Sequence, residues 1–199
     1  ARVLTLAGAE VTREFYINDS RESNQVKELG KTALGTGTQY KTPALEECMH
    51  KMDFSGLSEI DAGFALASVV HQENRLFIEH DLGISFDLWY SEDAELRAGG
   101  ASEKTLDLLK ERGATYEKDG ACWLKTTEYG DDEDRVIVRS DGTMPYFIND
   151  IAYHQKKFDR GFRTVLDVWG ADHHGHVKRM QAAGKLLHWP VDKYTGLPQ

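Results

Sequence analysis

Tyr146 and Asp150 stand four residues apart in the run PYFINDIAYH at 145–154. Across a strand-to-helix turn, a phenol and a carboxylate at that spacing can face one pocket. In a first helical turn the free N–H groups and the dipole keep a carboxylate ionised. An ionised carboxylate beside an aromatic ring suits a planar cation such as guanidinium, which offers two parallel hydrogen bonds and a face to stack. Each charge-assisted bond contributes about 1.5–3 kcal/mol. The spacing fits equally well a plainer arrangement, in which Asp150 helps to cap the helix and Tyr146 only packs. A second polar turn follows, Gly170-Ala171-Asp172-His173-His174-Gly175-His176. Glycine allows close backbone approach, Asp172 can accept from a ribose hydroxyl, and a helix N-terminus attracts phosphate. Three histidines and an aspartate also invite a metal, since His173 and His176 can share a helical face. No HExxH or cysteine-rich partner completes a ligand set, so metal is the weaker reading.

The elements that must position these residues run from Val138 to Gly184 as strand, helix, strand, helix. Asn149 is suited to accept from the first free N–H groups of the first helix. Ile151, Ala152 and Phe158 supply its apolar side. Lys156, Lys157 and Arg160 favour its negative end, and Gly161 can stop it. Thr164–Trp169 is a short run rich in β-branched residues, as in a strand buried on both faces. Asp172 is placed to cap the next helix, whose inner face is Val177, Met180, Ala183 and Leu187. This alternation predicts a parallel sheet with a right-handed crossover. Ligands of such sheets sit at the carboxyl ends of the strands, here Tyr146 to Asp150 and Gly170 to His176.

At these residues the chain resembles the arginyl-tRNA synthetases, class I enzymes, in their bacterial form. The segments that carry the resemblance are REFYIND at 13–19, FDLWYSE at 86–92 and DGACWLKTTEYGDDEDRVIVRSDGTMPYF at 119–147. DIAYH at 150–154 and VWGADHHGHVKRM at 168–180 continue it, in the family's order. The resemblance extends from residue 1 to about 190. It implies that Tyr146 and Asp150 hold the guanidinium of the substrate arginine, with His173 beside the amino acid. It implies that Gly170, Asp172 and His176 lie on the ATP side, with ATP a substrate accompanied by Mg2+ and no tightly bound cofactor. The fold it implies is α/β, a class I Rossmann-like parallel sheet interrupted by an α+β connective-polypeptide insertion. On this reading 1–19 and 136–199 are the two parts of the nucleotide-binding fold, and 20–135 is the insertion. Neither the family's HxGH turn nor its KMSK-like loop occurs in the 199 residues, and HHGH at 173–176 follows a late strand. The expectation is therefore an excised piece of a larger, monomeric, cytoplasmic enzyme. Its partners would be L-arginine, ATP and tRNA(Arg), and the piece would be inactive alone. Two other classes stay open: a synthetase-derived binding module without catalysis, and a metal-dependent phosphoesterase motivated by Asp172-His173-His174.

The implied reaction has two steps. The arginine carboxylate attacks the α-phosphate of ATP and expels pyrophosphate, and the adenylate then passes the arginyl group to the terminal ribose of tRNA. No nucleophilic side chain is needed, so positioning and electrostatics carry the catalysis.

Composition is that of an ordinary globular chain, 40% hydrophobic and 29% charged. No apolar run approaches the roughly 20 residues of a membrane span. Cys48 and Cys122 are far apart and form no metal spacing, as expected of reduced thiols in a cytosolic protein. The net charge of −9 opposes a phosphate backbone, so this stretch is not expected to be the main tRNA-gripping surface.

Along the rest of the chain, 1–7 reads as the end of a helix stopped by Gly8, and 11–17 as a strand closed by Asn18 and Asp19. Gly30, Gly35, Gly37 and Pro43 suggest a loop-rich stretch, and the glycine–threonine run lacks the lysine of a phosphate loop. Helices are expected at 44–52, at 60–82 and from Ser102, as N-cap, to Gly113. Strands are expected at 84–90 and as an antiparallel pair at 121–126 and 135–139. The pair is joined by a solvated acidic turn, 131–134, that lacks calcium-loop spacing.

Overall fold

The computed structural model describes residues 1–170, 173–190 and 194–198, and the side chains of 174 and 194–198 lie outside the description. The chain forms two compact units, Ala1–Arg97 and Ala98–Gln199.

The first unit opens with helix α1 (Arg2–Leu6) and strand β1 (Glu14–Ile17). Helices α2 (Asn24–Ala33), α3 (Pro43–His50) and α4 (Glu59–Leu76) follow, then strand β2 (Leu88–Ser91). The three longer helices begin as the sequence chemistry dictates. Ser23, Thr42 and Ser58 are N-caps whose side chains accept from Gln25, Leu45 and Asp61 backbone N–H groups. β1 and β2 pair in parallel, Glu14 against Leu88 and Ile17 against Ser91. Phe15, Phe86 and Trp89 pack beside that pair with ring centroids 4.8–5.3 Å apart. Residues 34–42 are loop, as expected around Gly35 and Gly37, but Gly30 lies inside α2. That glycine marks a close helix crossing and does not break the helix: a Cβ there would meet the Glu59 carbonyl oxygen at 1.7 Å.

The second unit contains α5 (Ala101–Glu111), β3 (Thr115–Lys118), β4 (Ala121–Leu124), β5 (Arg135–Val138), α6 (Tyr146–Asp159), β6 (Val165–Trp169), α7 (His174–Leu186) and β7 (Tyr194–Pro198). β3, β4 and β5 form an antiparallel sheet in that order. The expected pair is therefore present, joined by a third strand at its edge. β6 and β7 pair in parallel, Val165 against Tyr194 and Trp169 against Pro198.

This pairing corrects the crossover predicted above. The strand before α6 belongs to the antiparallel sheet, and the parallel unit is β6–α7–β7. β6 is also not covered on both faces: Val165 and Asp167 are buried, whereas Leu166 and Val168 are 47% and 64% exposed. Ser102 is not an N-cap either. Gly100, at φ +60°, takes that position, and Ser102 lies buried inside α5. The core joins Leu109 of α5, Leu124 of β4, Ile137 of β5, Ile148 and Ile151 of α6 and Met180 of α7, each 0% exposed. Burying a side chain of that size stabilises by roughly 1.5–3 kcal/mol, so this cluster anchors α6 and α7 to one core.

Candidate functional site

α6 begins three residues earlier than Asn149, the residue expected to cap it. Pro145 is the N-cap, at a φ of −71° that its ring fixes. Asn149 is thereby carried into the helix and buried, where its Oδ1 accepts from Ser102 Oγ at 2.8 Å. The shift helps the predicted pair. Tyr146 and Asp150 are both helical, and side chains four apart on a helix share a face. Tyr146 is 55% exposed, and the Asp150 side chain 39%. Asp150 stands in the second turn, not the first, so the dipole acts on it more weakly than expected.

The other half of the site comes from the end of β6 and the start of α7. His176 Nε2 donates to Asp150 Oδ2 at 3.0 Å. Trp169, the last residue of β6, is the ring around which the cluster forms. His176 lies 5.2 Å from it edge-on, His173 6.2 Å and His154 6.3 Å, centroid to centroid. Phe147 closes one side, 6.1 Å from His176. His173 is exposed and is the N-cap of α7. Gly170 directly follows β6. Asp172, expected to cap the helix and face a ribose, lies outside the described residues. The structure thus brings Tyr146, Asp150, His173 and His176 to neighbouring places on α6 and α7. It puts His176, expected on the nucleotide side, in contact with the carboxylate of the amino-acid side. Among the described residues no three metal-ligating side chains converge.

Below this surface lies a buried polar cluster that the pattern of residues did not announce. Asp167 of β6 accepts from His154 Nε2 at 2.9 Å and from Lys157 Nζ at 2.7 Å. Burial by itself would raise the Asp167 carboxyl. The hydrogen bond and charge of His154, with Lys157 beside them, outweigh burial and hold it well below the usual carboxylate range. A carboxylate depressed in the folded state stabilises the fold above its unfolded-state pKa of about 4, and loses that contribution as pH falls through the folded value. Asp167→Asn is accordingly expected to be less stable than the parent at neutral pH and to lose less on acidification below about pH 4. Urea titrations across that range check this, and parallel losses in both proteins would show that Asp167 contributes nothing to the acid response.

The acidic turn 131–134 is only half solvated. Asp131 is buried and accepts from Arg135 Nε at 2.8 Å, while Asp134 accepts from the Thr127 hydroxyl and backbone N–H. In the first unit, Asp19 ties the carboxyl ends of the two strands together, accepting from Ser91 Oγ at 2.7 Å and Asp93 N–H at 3.0 Å. Asn18 donates to Gln25. A cavity of about 570 Å³ opens beside Asp19, lined also by His71, Gln72, Arg75, Glu79 and Trp89. It lies where ligands of parallel strands gather, and its α4 residues were not singled out by the sequence pattern.

Comparison with known proteins bears on all of this. The family model for tRNA synthetases class I (R), catalytic domain, matches residues 68–194. An arginine–tRNA ligase of Syntrophotalea carbinolica is 44% identical over 92% of this chain and 36% of its own length. An arginine–tRNA ligase 1 of Halalkalibacterium halodurans is 40% identical over 96% of the chain and 38% of its own length. The chain therefore spans well under half of these relatives. A crystal structure from Campylobacter jejuni, described as an arginyl t-RNA synthetase, superposes with a TM-score of 0.77 at 30% identity, over 99% of this chain and 47% of that one. The mixed sheets of the fold are those of class I synthetases, as expected. A family match across most of the second unit, and relatives across nearly all of the chain, have one consequence: the chain belongs to the class I tRNA synthetase (R) catalytic-domain family.

Proposed function

We propose that this chain is the arginine-selecting part of an arginine–tRNA ligase, which activates L-arginine with ATP and passes the arginyl group to tRNA(Arg). The observation that carries the reading is the Tyr146–Asp150 pair on one face of α6, beside the histidines at the start of α7. In this reading the Asp150 carboxylate takes two in-plane N–H groups of the guanidinium, and Tyr146 packs against its face. A lysine ammonium cannot make that paired contact, which is the source of selectivity. His173 lies beside the amino acid. Gly170 and Asp172 serve the nucleotide, and His176 stands between the two substrates because it also reaches Asp150. Mg2+ arrives with ATP and is held by its phosphates. Residues 1–19 and 136–199 supply the two parts of the nucleotide-binding fold and 20–135 the connective insertion, which lends β2 to β1.

None of the proposed residues is a nucleophile. They select and orient, so that the substrate carboxylate reaches the α-phosphate in line. Because neither the family's HxGH turn nor its KMSK-like loop occurs in the 199 residues, the polypeptide 1–199 alone is expected to charge no tRNA, and measurable turnover would contradict the division of labour. In the full-length protein, aminoacylation with arginine and none with lysine is the expected outcome; equal use of lysine would defeat the assignment of Asp150. The enzyme is taken to act as a monomer in the cytoplasm, where tRNA is charged, and a solution mass of one chain checks the first of these. Among the described residues no helix is long and apolar enough to cross a membrane.

A further inference from the structure

Asp167 is the middle residue of β6, turned inward between Val165 and Trp169. Two donors from α6 converge on it, His154 and Lys157, and all three side chains are at most 10% exposed. A buried ion pair is poor evidence for stability, because well-packed apolar residues are commonly as good. Its distinctive property is directionality: each bond holds only at one rotation and one height of the helix on the strand. The His154 ring continues the line beyond Asp167. Its Nδ1–H donates to the Asp150 carbonyl oxygen at 2.7 Å. With one ring nitrogen on the strand's carboxylate and the other on the helix's carbonyl, the ring bridges strand and helix. Lys157 is held from the other side, its Nζ 4.1 Å from the Tyr153 ring centroid. Two residues beyond Asp167, the same strand face presents Trp169, against which His173 and His176 rest.

We infer that Asp167, acting through His154, is a positioning residue for the amino-acid pocket: it sets where the Asp150 carboxylate stands relative to Trp169 and His176. The inference rests on the arginine reading given above. Neither Asp167 nor His154 touches substrate in it. A carboxylate that must meet two N–H groups at once tolerates little displacement, and a shift of about 1 Å costs up to roughly a hundredfold in such a site.

The test is arginine-dependent ATP–pyrophosphate exchange by the full-length protein, with the KM for arginine and the KM for ATP measured separately. His154→Ala is expected to raise the arginine KM about tenfold or more while leaving the ATP KM within about twofold. His154→Gln keeps one donor and should recover part of the loss. A histidine with a merely structural role would lower the thermal midpoint and the active fraction but leave both KM values unchanged, and that result overturns the proposal. If His154→Ala does not fold, His154→Gln carries the same test, and an unchanged arginine KM there overturns it equally. Asp150→Asn separates the two levels. If it raises the arginine KM and the His154 variants do not, only the positioning role falls; if it too leaves the KM unchanged, the pocket itself is misassigned.

Discussion

Asp150→Asn is expected to raise the KM for arginine by roughly thirtyfold, corresponding to about 2 kcal/mol of lost interaction. Asparagine has nearly the same shape, so it still accepts one hydrogen bond from the guanidinium. It loses the second in-plane acceptor and the charge. Charge-assisted bonds contribute about 1.5–3 kcal/mol each, and the lower part of that range applies because the Asp150 side chain is 39% exposed and water screens it. The fold should be untouched. The Asp150 side chain is 39% exposed, its partner His176 can donate to the amide oxygen instead, and the backbone carbonyl that His154 holds is unchanged. The KM for ATP should stay within about twofold, because the substitution removes binding to the amino acid alone. Steady-state pyrophosphate exchange with a thermal melt on the same sample decides the matter. An unchanged arginine KM in a folded protein would show that the carboxylate faces something other than guanidinium.

How much of this was visible in the residues varies with the range of the interactions. The Tyr146–Asp150 pair was legible because four residues is one helical turn, a local relation that survives an error in the helix start. That start was placed at Asn149 because asparagine is a good cap; the competing signal was Pro145, whose fixed φ suits a helix entrance. Asp167 was not legible. It interrupts a β-branched run by one residue, and its partners His154 and Lys157 lie 13 and 10 positions away on another element. No periodicity reports such a meeting. The crossover failed for a related reason. Alternation of strand and helix is a property of the chain, but β5 finds its partner in β4, and pairing depends on contacts the alternation does not encode. Trp169 read as the apolar end of a strand and proved to be the hub of three histidines.

Gly30 was misread as punctuation, and replacing it is expected to damage the first unit severely. Alanine is better than glycine in a helix interior by about 1 kcal/mol, so in an uncrowded helix Gly30→Ala would stabilise. Here the added Cβ would lie 1.7 Å from the Glu59 carbonyl oxygen and 2.9 Å from the Gly63 backbone nitrogen. The crossing is reciprocal, since a Cβ at Gly63 would meet the Val26 carbonyl oxygen at 1.9 Å. These are backbone atoms of the facing helix, and no rotamer change can relieve them. α2 and α4 would have to separate by well over an ångström, opening the packing around Val26 and Leu66, which are 2% and 0% exposed. Overpacking of this kind costs about 1–3 kcal/mol and occasionally more; with both contacts to backbone the cost lies at or above the upper end and exceeds the propensity gain. The net expectation is a loss of about 2 kcal/mol or more, a fall in thermal midpoint of roughly 8 °C or greater for a unit of this size. Gly175→Ala is the control. It too is a helical glycine, but its added Cβ meets only the movable end of Arg179 at 3.6 Å, so the midpoint should hold or rise slightly. Equal behaviour of the two variants in one thermal melt would show that the α2–α4 crossing is not as close as described.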